Sequence, residues 1–313
     1  MPRARCFLPP LFAAAWARSD GRVSSNAASR LWRPKLRRFG ATRSEVEERL
    51  STRFRNEMEH LTQKHQVQWE LELVELHDRV KELVDLVDQL KKDEVEAQLP
   101  AVRQAYHDFA LALDVVSRGV LGQKPLRTTA SWAPLLLRFR YYICSLFSWG
   151  LLTEEVAQEA AKVLKELGVK GVVDPLAGSG WQAMLWEVAG GLHVIALDSY
   201  EAKSVAWSGV KLVTDSRRAL AEPIDGDLTS WALLLSWPPH SPESVGLDLL
   251  RVWHGEFLIY LGERALDDDD GPWPGQSLLD AIQDDWDLLQ RYRIPSWPGC
   301  KDDLTIYRRR KTE

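Results

Sequence analysis

Between Ser44 and Gln98 the chain has neither Pro nor Gly, and charges of both signs alternate with apolar residues. That pattern predicts one long helix, with Pro100 expected to stop it. Trp69, Leu73, Leu76, Val80, Leu83, Val87 and Leu90 stand alternately four and three apart, which makes them the a and d positions of three heptads. The earlier apolar positions, Val46, Leu50, Phe54, Met58 and Leu61, run in a different phase. An unbroken helix of this span would be about 80 Å long, against about 40 Å for a compact domain of the size that follows. The seam from 69 to 90 therefore needs a partner. The candidates are its own domain, against which a solvated helix would pack through one apolar stripe, the next helix of the same chain or, as the expectation drawn from length, the same seam of a second copy in a coiled-coil homodimer.

A second helical stretch, Ala101 to Gly119, carries Val102, Ala105, Tyr106, Phe109, Leu113 and Val116 on one face, and Pro125, Thr128 and Thr129 mark a linker after it. Thr153 can cap a helix whose first turn holds Glu154 and Glu155, with Gly168 as its stop. From there short apolar runs (171–174, 193–197, 232–236, 257–261) alternate with helical ones (181–188, 244–253, 278–290). Strand and helix in that rhythm predict a doubly wound, mostly parallel α/β sheet behind a helical extension.

The 313 residues include 45% apolar and 27% charged positions, so the chain is neither collagen-like nor wholly disordered. Cys6, Cys144 and Cys300 are its three cysteines; without a CxxC pair they build neither a disulfide framework nor a zinc site, and no metal is expected. The net charge of −5 conceals an asymmetry. Residues 1–43 hold ten Lys or Arg against Asp20 alone, +9, which leaves the other 270 residues at −14. The acidic body argues against binding nucleic acid through its backbone. No uncharged run is long enough to span a bilayer. The basic, Ser- and Ala-rich first 43 residues have the composition of a mitochondrial transit peptide. The apolar stretch from Phe7 and the Ala15-Trp16-Ala17 site keep a secretory signal or a two-part plastid address open, and a disordered start would leave the protein in the cytoplasm.

The chemistry concentrates at Val172-Val173-Asp174-Pro175-Leu176-Ala177-Gly178-Ser179-Gly180-Trp181, a strand, a turn of small residues and a helix start. Glycines in such a turn let a ligand approach the backbone closely. Gly178, Gly180 and Ala183 also satisfy the dinucleotide pattern G-x-G-x-x-A, with Asp198 eighteen residues after Gly180 to hold ribose hydroxyls. Asp174 discriminates between cofactors. A carboxylate at that strand end repels a pyrophosphate, whereas S-adenosylmethionine carries an ammonium, a sulfonium and no phosphate. An Asp that only caps the turn is the plainer alternative.

Asp174-Pro-Leu-Ala-Gly-Ser-Gly180 resembles the first motif of class I S-adenosylmethionine-dependent methyltransferases. Within that superfamily the chain is most similar to a functionally uncharacterised group with three features: Ser-Trp before the first helix (Ser148-Trp149), Trp-Pro-Pro after the fourth strand (Ser236-Trp237-Pro238-Pro239-His240), and Ile-Pro-x-Trp-Pro-Gly before a last strand (Ile294 to Gly299). The resemblance implies a Rossmann-like methyltransferase fold, bound S-adenosylmethionine and an unidentified methyl acceptor. The chain then divides into a targeting or disordered segment (1–43), the long helix (44–98), a helical linker region (99–127) and a methyltransferase-like domain (128–313). Ala177, where Gly is commoner, is a departure from the motif.

In an open parallel sheet ligands sit at the carboxyl ends of the strands. The expected cofactor residues are Asp174, Ala177, Gly178, Ser179, Gly180, Trp181, Asp198, Ser236 and Trp237; the expected catalytic ones are His240, Pro238 and Glu263. Trp-Pro-Pro-His resembles the (Asp/Asn/Ser)-Pro-Pro-aromatic motif of enzymes that methylate amino groups, in which a side-chain oxygen and a backbone carbonyl accept from the target nitrogen. Trp237 replaces the polar residue here, so His240 is the alternative proton acceptor. Trp149, Trp181, Trp237 and Trp297 could wall a pocket, two of the four being expected to do so, while Arg308 to Lys311 reads as a solvated tail. Two rival readings stay open: an inactive methyltransferase fold serving as a scaffold in an organellar assembly, and an NAD-dependent oxidoreductase.

Overall fold

The computed structural model describes residues 70–90, 95–117, 140, 143–200, 206–221, 228–239, 244–263, 276–297 and 300–311. The address segment 1–43, the start of the long helix through Trp69, the 118–139 linker, His240 and the acidic run 267–270 lie outside them. Two helices come first, α1 (Glu70–Gln89) and α2 (Val95–Val115). Then follow α3 (Glu154–Glu166), β1 (Gly171–Asp174), α4 (Trp181–Val188), β2 (His193–Asp198), β3 (Lys211–Leu212), α5 (Ser216–Ala221), β4 (Trp231–Ser236), α6 (Ser244–Val252), β5 (Phe257–Glu263), α7 (Gln276–Asp285), β6 (Trp286–Arg293) and β7 (Asp302–Arg309).

The strands form one sheet in the order β3-β2-β1-β4-β5-β7-β6. All neighbours pair in parallel except β7, which runs antiparallel to both β5 and β6. Alternation along the strands divides the core into two layers. Val172, Ala232, Leu234, Phe257, Ile259 and Leu261 face the side covered by α1 to α4, and Val173, Leu233, Leu235, Leu258 and Tyr260 face α5 to α7. The central strands are apolar throughout because both of their faces are covered.

Local signals set most boundaries. The Thr153 hydroxyl accepts from the Val156 N–H at 3.5 Å. After α3, the N–H of Gly168 (φ 82°) reaches Lys165 O and that of Val169 reaches Leu164 O, the paired closure of a Schellman motif. Two helix boundaries differ from the sequence reading. The long helix is not continuous to Gln98: α1 ends at Gln89, and Pro100 lies in the second turn of α2 instead of stopping a helix. The carbonyl deprived of a donor by Pro100 is that of exposed Glu96, which water can serve, so the usual cost of an interior proline is reduced. The helical stretch expected over 278–290 passes directly into strand β6 at Trp286.

The seam from Leu76 to Val87 is closed within one chain. Leu76, Val80, Leu83 and Val87 are buried in the same cluster as Val102, Tyr106, Phe109 and Leu113 of α2. The demand that pointed to a second copy is thereby met over those positions. The pair is also not a free-standing coil, since that cluster includes Phe147, Trp181, Ile294 and Trp297 of the sheet layer. Arg103 of α2 grips both carboxylate oxygens of Glu154 at the start of α3 through Nε and Nη2.

The basic residues near the C-terminus are structural. Arg308 pairs with Glu256, Arg309 lies 4.3 Å from the centre of the Trp286 ring and Arg310 bonds Asp287. No helix among the described residues is long and apolar enough to cross a membrane.

Phe109→Ala should lower unfolding free energy by about 3–5 kcal/mol in urea denaturation, whereas Leu111→Ala, at a residue 47% exposed, should change it by no more than about 0.5 kcal/mol. Leu83→Asp should lower the thermal midpoint equally at all protein concentrations, because the surface it disrupts belongs to one chain.

Candidate functional site

Strand ends and the turns after them build the site. At the carboxyl end of β1, Asp174 is 1% exposed, and its Oδ1 accepts the Leu176 N–H at 3.2 Å. The turn it starts is tied to the end of β2. Ala177 N–H donates to Leu197 O at 3.0 Å, and Gly178 N–H to Asp198 Oδ2 at 2.8 Å. The other Asp198 oxygen accepts the Tyr200 N–H at 2.8 Å. Ser199 N–H also favours the ionised Asp198 carboxylate, whose roughly four acceptor sites still exceed the donors that the described backbone supplies.

The two glycines serve different ends. Both have left-handed backbones, φ 57° at Gly178 and 78° at Gly180, which favour glycine sterically. Among the described residues a Cβ on Gly178 would meet nothing within 4 Å, while one on Gly180 would lie 2.4 Å from Ser208 Oγ. The turn is open to a ligand at Gly178, but at Gly180 the close approach is made by the chain itself. Ser179 points inward, its hydroxyl donating to Phe147 O while its carbonyl accepts the Trp207 N–H.

Burial sets the charge of the edge. Asp174 is pushed up to about 7, first by burial and further by Asp198, against the hydrogen bond from Leu176. Asp198 is raised as well, again by burial. No cationic side chain is among the groups acting on either, so among the described residues this pair of acids lacks a counter-charge.

A second polar cluster lies at the ends of β4, β5 and β7. Glu263 ends β5 opposite Asp302, which begins β7. Glu263 Oε1 accepts the Lys301 N–H at 3.2 Å, and burial holds its carboxyl above the usual range. Asp302 is pushed up to about 8, by burial and then by Glu263, with Arg140 and the Trp237 indole opposing. Ser236 ends β4, and Trp237 after it has φ 43°, a strained conformation for a bulky residue. Its N–H donates to Leu261 O at 2.8 Å, which ties the turn to β5.

Not every expected residue faces this edge. Trp181 is fully buried, with ring centres 4.7 Å from Tyr106 and Phe147 and 5.0 Å from Trp207. It is core and not a cofactor wall, because α4 turns that face onto α2 and the 147–150 segment. Trp297 is sealed too, whereas Trp149 and Trp237 are partly exposed. Pro238 is buried, its ring close against Gly246 of α6. His240 lies outside the described residues.

Sequence reasoning missed Arg140 and Asp302. Arg140 is 7% exposed, with its guanidinium carbon 4.6 Å from the Trp237 ring centre, 5.4 Å from Trp149 and 5.7 Å from Trp297. Its Nη1 donates to Cys300 Sγ at 3.2 Å. The available signal was the Asp302-Asp303 pair directly before the mostly apolar run Leu304 to Tyr307. Among the described residues no group of three or more His, Cys, Asp or Glu is arranged to hold a metal.

No protein-family model matches the chain, and no curated protein matches it. Among solved structures it is similar to an rRNA methylase from Streptococcus thermophilus, at 16% identity over 49% of this chain and 96% of the other, TM-score 0.33. It is also similar to the S-adenosylmethionine-dependent methyltransferase SibL in its apo form, at 14% identity over 75% and 74%, TM-score 0.37. A third is human N-acetylserotonin methyltransferase in complex with SAM, at 12% identity over 75% and 67%, TM-score 0.27. The chain has the Rossmann-like methyltransferase fold. Its own strand order and reversed β7 are the grounds for that statement; its chemistry has to be argued from its residues.

The raised acids give stability a definite pH dependence. Asp174 and Asp302 move from 3.8 to about 7 and about 8, so between these values the folded state holds more protons than the unfolded one. Stability must then fall as pH rises from about 4 to about 8. Asp215, lowered chiefly by its bond to Arg217, acts oppositely but only in acid. Urea midpoints should decline across that window, and Asp302→Asn should flatten its upper end.

Proposed function

We propose that the protein is an S-adenosylmethionine-dependent methyltransferase. The observation that carries this reading is the pair of buried carboxylates, Asp174 and Asp198, flanking a turn that is open at Gly178. Two acids to which the described residues supply no counter-charge favour a cationic ligand and oppose a pyrophosphate, which disfavours a nicotinamide dinucleotide. Asp174 and the Gly178 backbone would hold the charged end of the cofactor, and Asp198 has lone pairs left for ribose hydroxyls. When bound, the cofactor supplies an activated methyl group.

The rest of the chemistry belongs to the chain. Methyl transfer needs alignment and exclusion of water more than acid or base strength. Trp149 and Trp237, 6.3 Å apart between ring centres, wall the neighbouring strand ends against solvent. Trp237 is held there by its N–H bond to Leu261 O. The Trp-Pro-Pro turn allies the protein with the group that shares this motif, and no acceptor follows from that alliance.

One observation favours a second reading, the inactive scaffold. Ser208 occupies the approach to Gly180, which narrows the turn on one side.

Calorimetry on the full-length protein separates these readings. S-adenosylmethionine and S-adenosylhomocysteine should bind and NADH should not; failure of all three would favour the scaffold. Asp174→Asn keeps an oxygen for the Leu176 N–H but removes the charge. It should weaken S-adenosylmethionine binding by about tenfold or more without lowering the melting temperature. In the wild type the affinity should rise as pH passes upward through about 7, because only the ionised carboxylate attracts a cation, and the variant should lose that rise. Unchanged affinity in Asp174→Asn would reduce Asp174 to a turn cap.

A further inference from the structure

The cluster at the ends of β5 and β7 contains two charged groups whose hydrogen-bonding capacity the described residues leave unused. Arg140 spends Nη1 on Cys300 Sγ, while its buried Nε and Nη2 have no partner. Asp302 is 3% exposed, and neither of its carboxylate oxygens makes a well-formed hydrogen bond, although the Trp237 indole N–H, itself otherwise unpaired, is near enough to favour its ionised form. Each influences the other's charge through space, yet the two make no ion pair within 4.0 Å. Buried charged groups left this way are costly, and a direct Arg140–Asp302 contact would have relieved both.

The unused edge of Arg140 has a specific shape. Nε and Nη2 form the side of the guanidinium that presents two parallel N–H donors, matched to the two oxygens of a carboxylate. The same protein uses that edge of Arg103 to grip Glu154. Trp149, Trp237 and Trp297 around Arg140 fix the plane of the fork and keep it in a weakly screening environment. Asp302 supplies the complementary need, an acceptor for an N–H or O–H.

We propose that Arg140 and Asp302 are a recognition pair for a carboxylic acid with an amino or hydroxyl group close to its carboxylate. Arg140 grips the carboxylate through Nε and Nη2, and Asp302 accepts from the amino or hydroxyl hydrogen. Because burial holds the Asp302 carboxyl well above its ordinary range, it meets a hydroxyl as a neutral group and ionises against an ammonium. Trp149, Trp237 and Glu263 are only partly buried, whereas the unused atoms of Arg140 and Asp302 are closed to solvent, so an acid reaches them by displacing side chains of this cluster. The inference depends on the methyltransferase reading only in naming this acid as the methyl acceptor. The cofactor's own amino-acid tail has the same chemistry; Asp302 stands three strands from β1, but Arg140 lies against Trp237 in the turn after β4, the strand next to β1, so the S-adenosylhomocysteine arm of the test tells the two ligands apart.

The test titrates full-length protein without cofactor, using glycine, glycolate, 2-aminobenzoate and 2-hydroxybenzoate as probes and glycinamide and 2-aminobenzamide as controls, read by calorimetry and tryptophan fluorescence. At least one acid should bind with a Kd of about 1 mM or tighter, and the amides at least about tenfold more weakly. Arg140→Lys keeps the charge over the tryptophans but loses the fork, and Asp302→Asn keeps the shape but loses the carboxylate. Arg140→Lys should weaken acid binding by about tenfold or more, and Asp302→Asn should weaken binding of glycine, the probe that carries an ammonium, by the same factor, with unchanged circular dichroism and unchanged S-adenosylhomocysteine affinity. Should Arg140→Lys fail to fold, Asp302→Asn decides alone. Asp174→Asn should leave acid binding intact, so failure of the cofactor reading and failure of this one give different results. The proposal is overturned if no acid binds the wild type, if the variants bind acids as tightly as it does, or if S-adenosylhomocysteine affinity is what Arg140→Lys removes.

Discussion

The packing of α2 onto the start of α4, through a cluster of large aromatic side chains, is the contact on which both ends of the site depend. Tyr106 lies 4.7 Å from Trp181 and 5.1 Å from Phe147, and Phe147 stacks on Trp207 at 5.3 Å with an angle of 12° between the rings. Aromatic groups of this size bury more area than other side chains and add geometric preference to it. The same residues carry the backbone that shapes the glycine turn: the carbonyl of Phe147 receives the Ser179 hydroxyl, and the N–H of Trp207 reaches the Ser179 carbonyl. At the other side Phe109 touches Trp297, whose indole N–H bonds the Trp149 carbonyl. The helical extension is therefore part of the apparatus that holds the strand-end loops in place.

Within that frame the carboxyl edge of the sheet concentrates negative charge in poorly solvated places. Asp174 and Asp198 stand at one end of the edge, Glu263 and Asp302 at the other. Burial raises all four, which lowers the stability of the ligand-free protein near neutral pH. Arrangements of this kind are typical of sites that bind a charged partner. At the β5–β7 end a cation is built in, Arg140, whereas at the β1–β2 end the described residues supply none. The two ligands proposed, a cation at the first end and an acid at the second, rest on that asymmetry.

Much of the architecture was legible in the sequence because it is local. Thr153 and Gly168 bound α3 through their own hydrogen bonds and backbone angles, and the unbroken apolar runs 232–235 and 257–261 dictate a sheet covered on both sides. The turn from Asp174 to Gly180 was legible for the same reason, being one short segment whose residue types state its geometry. The heptad positions from Leu76 to Val87 correctly announced a buried helical face, but a face does not name its partner, and α2 of the same chain proved to cover it.

What only the tertiary structure decided are the relations between residues distant in sequence. Whether a tryptophan lines a site or fills the core depends on what packs against it, so Trp181 next to the glycine turn is core while Trp149 and Trp237 are half open. Gly180 looked like a place for a ligand until Ser208, twenty-eight positions later, was found against it. Arg140 and Asp302 carry no motif, and nothing in their neighbourhoods along the chain joins them. They come within electrostatic reach of each other because β7 reverses direction and brings Asp302 to the strand-end edge, beside Glu263 at the end of β5. Sequence fixes periodicity, caps and turn chemistry because those are short-range; the electrostatics of a buried edge are long-range and exist only once the chain has closed around them.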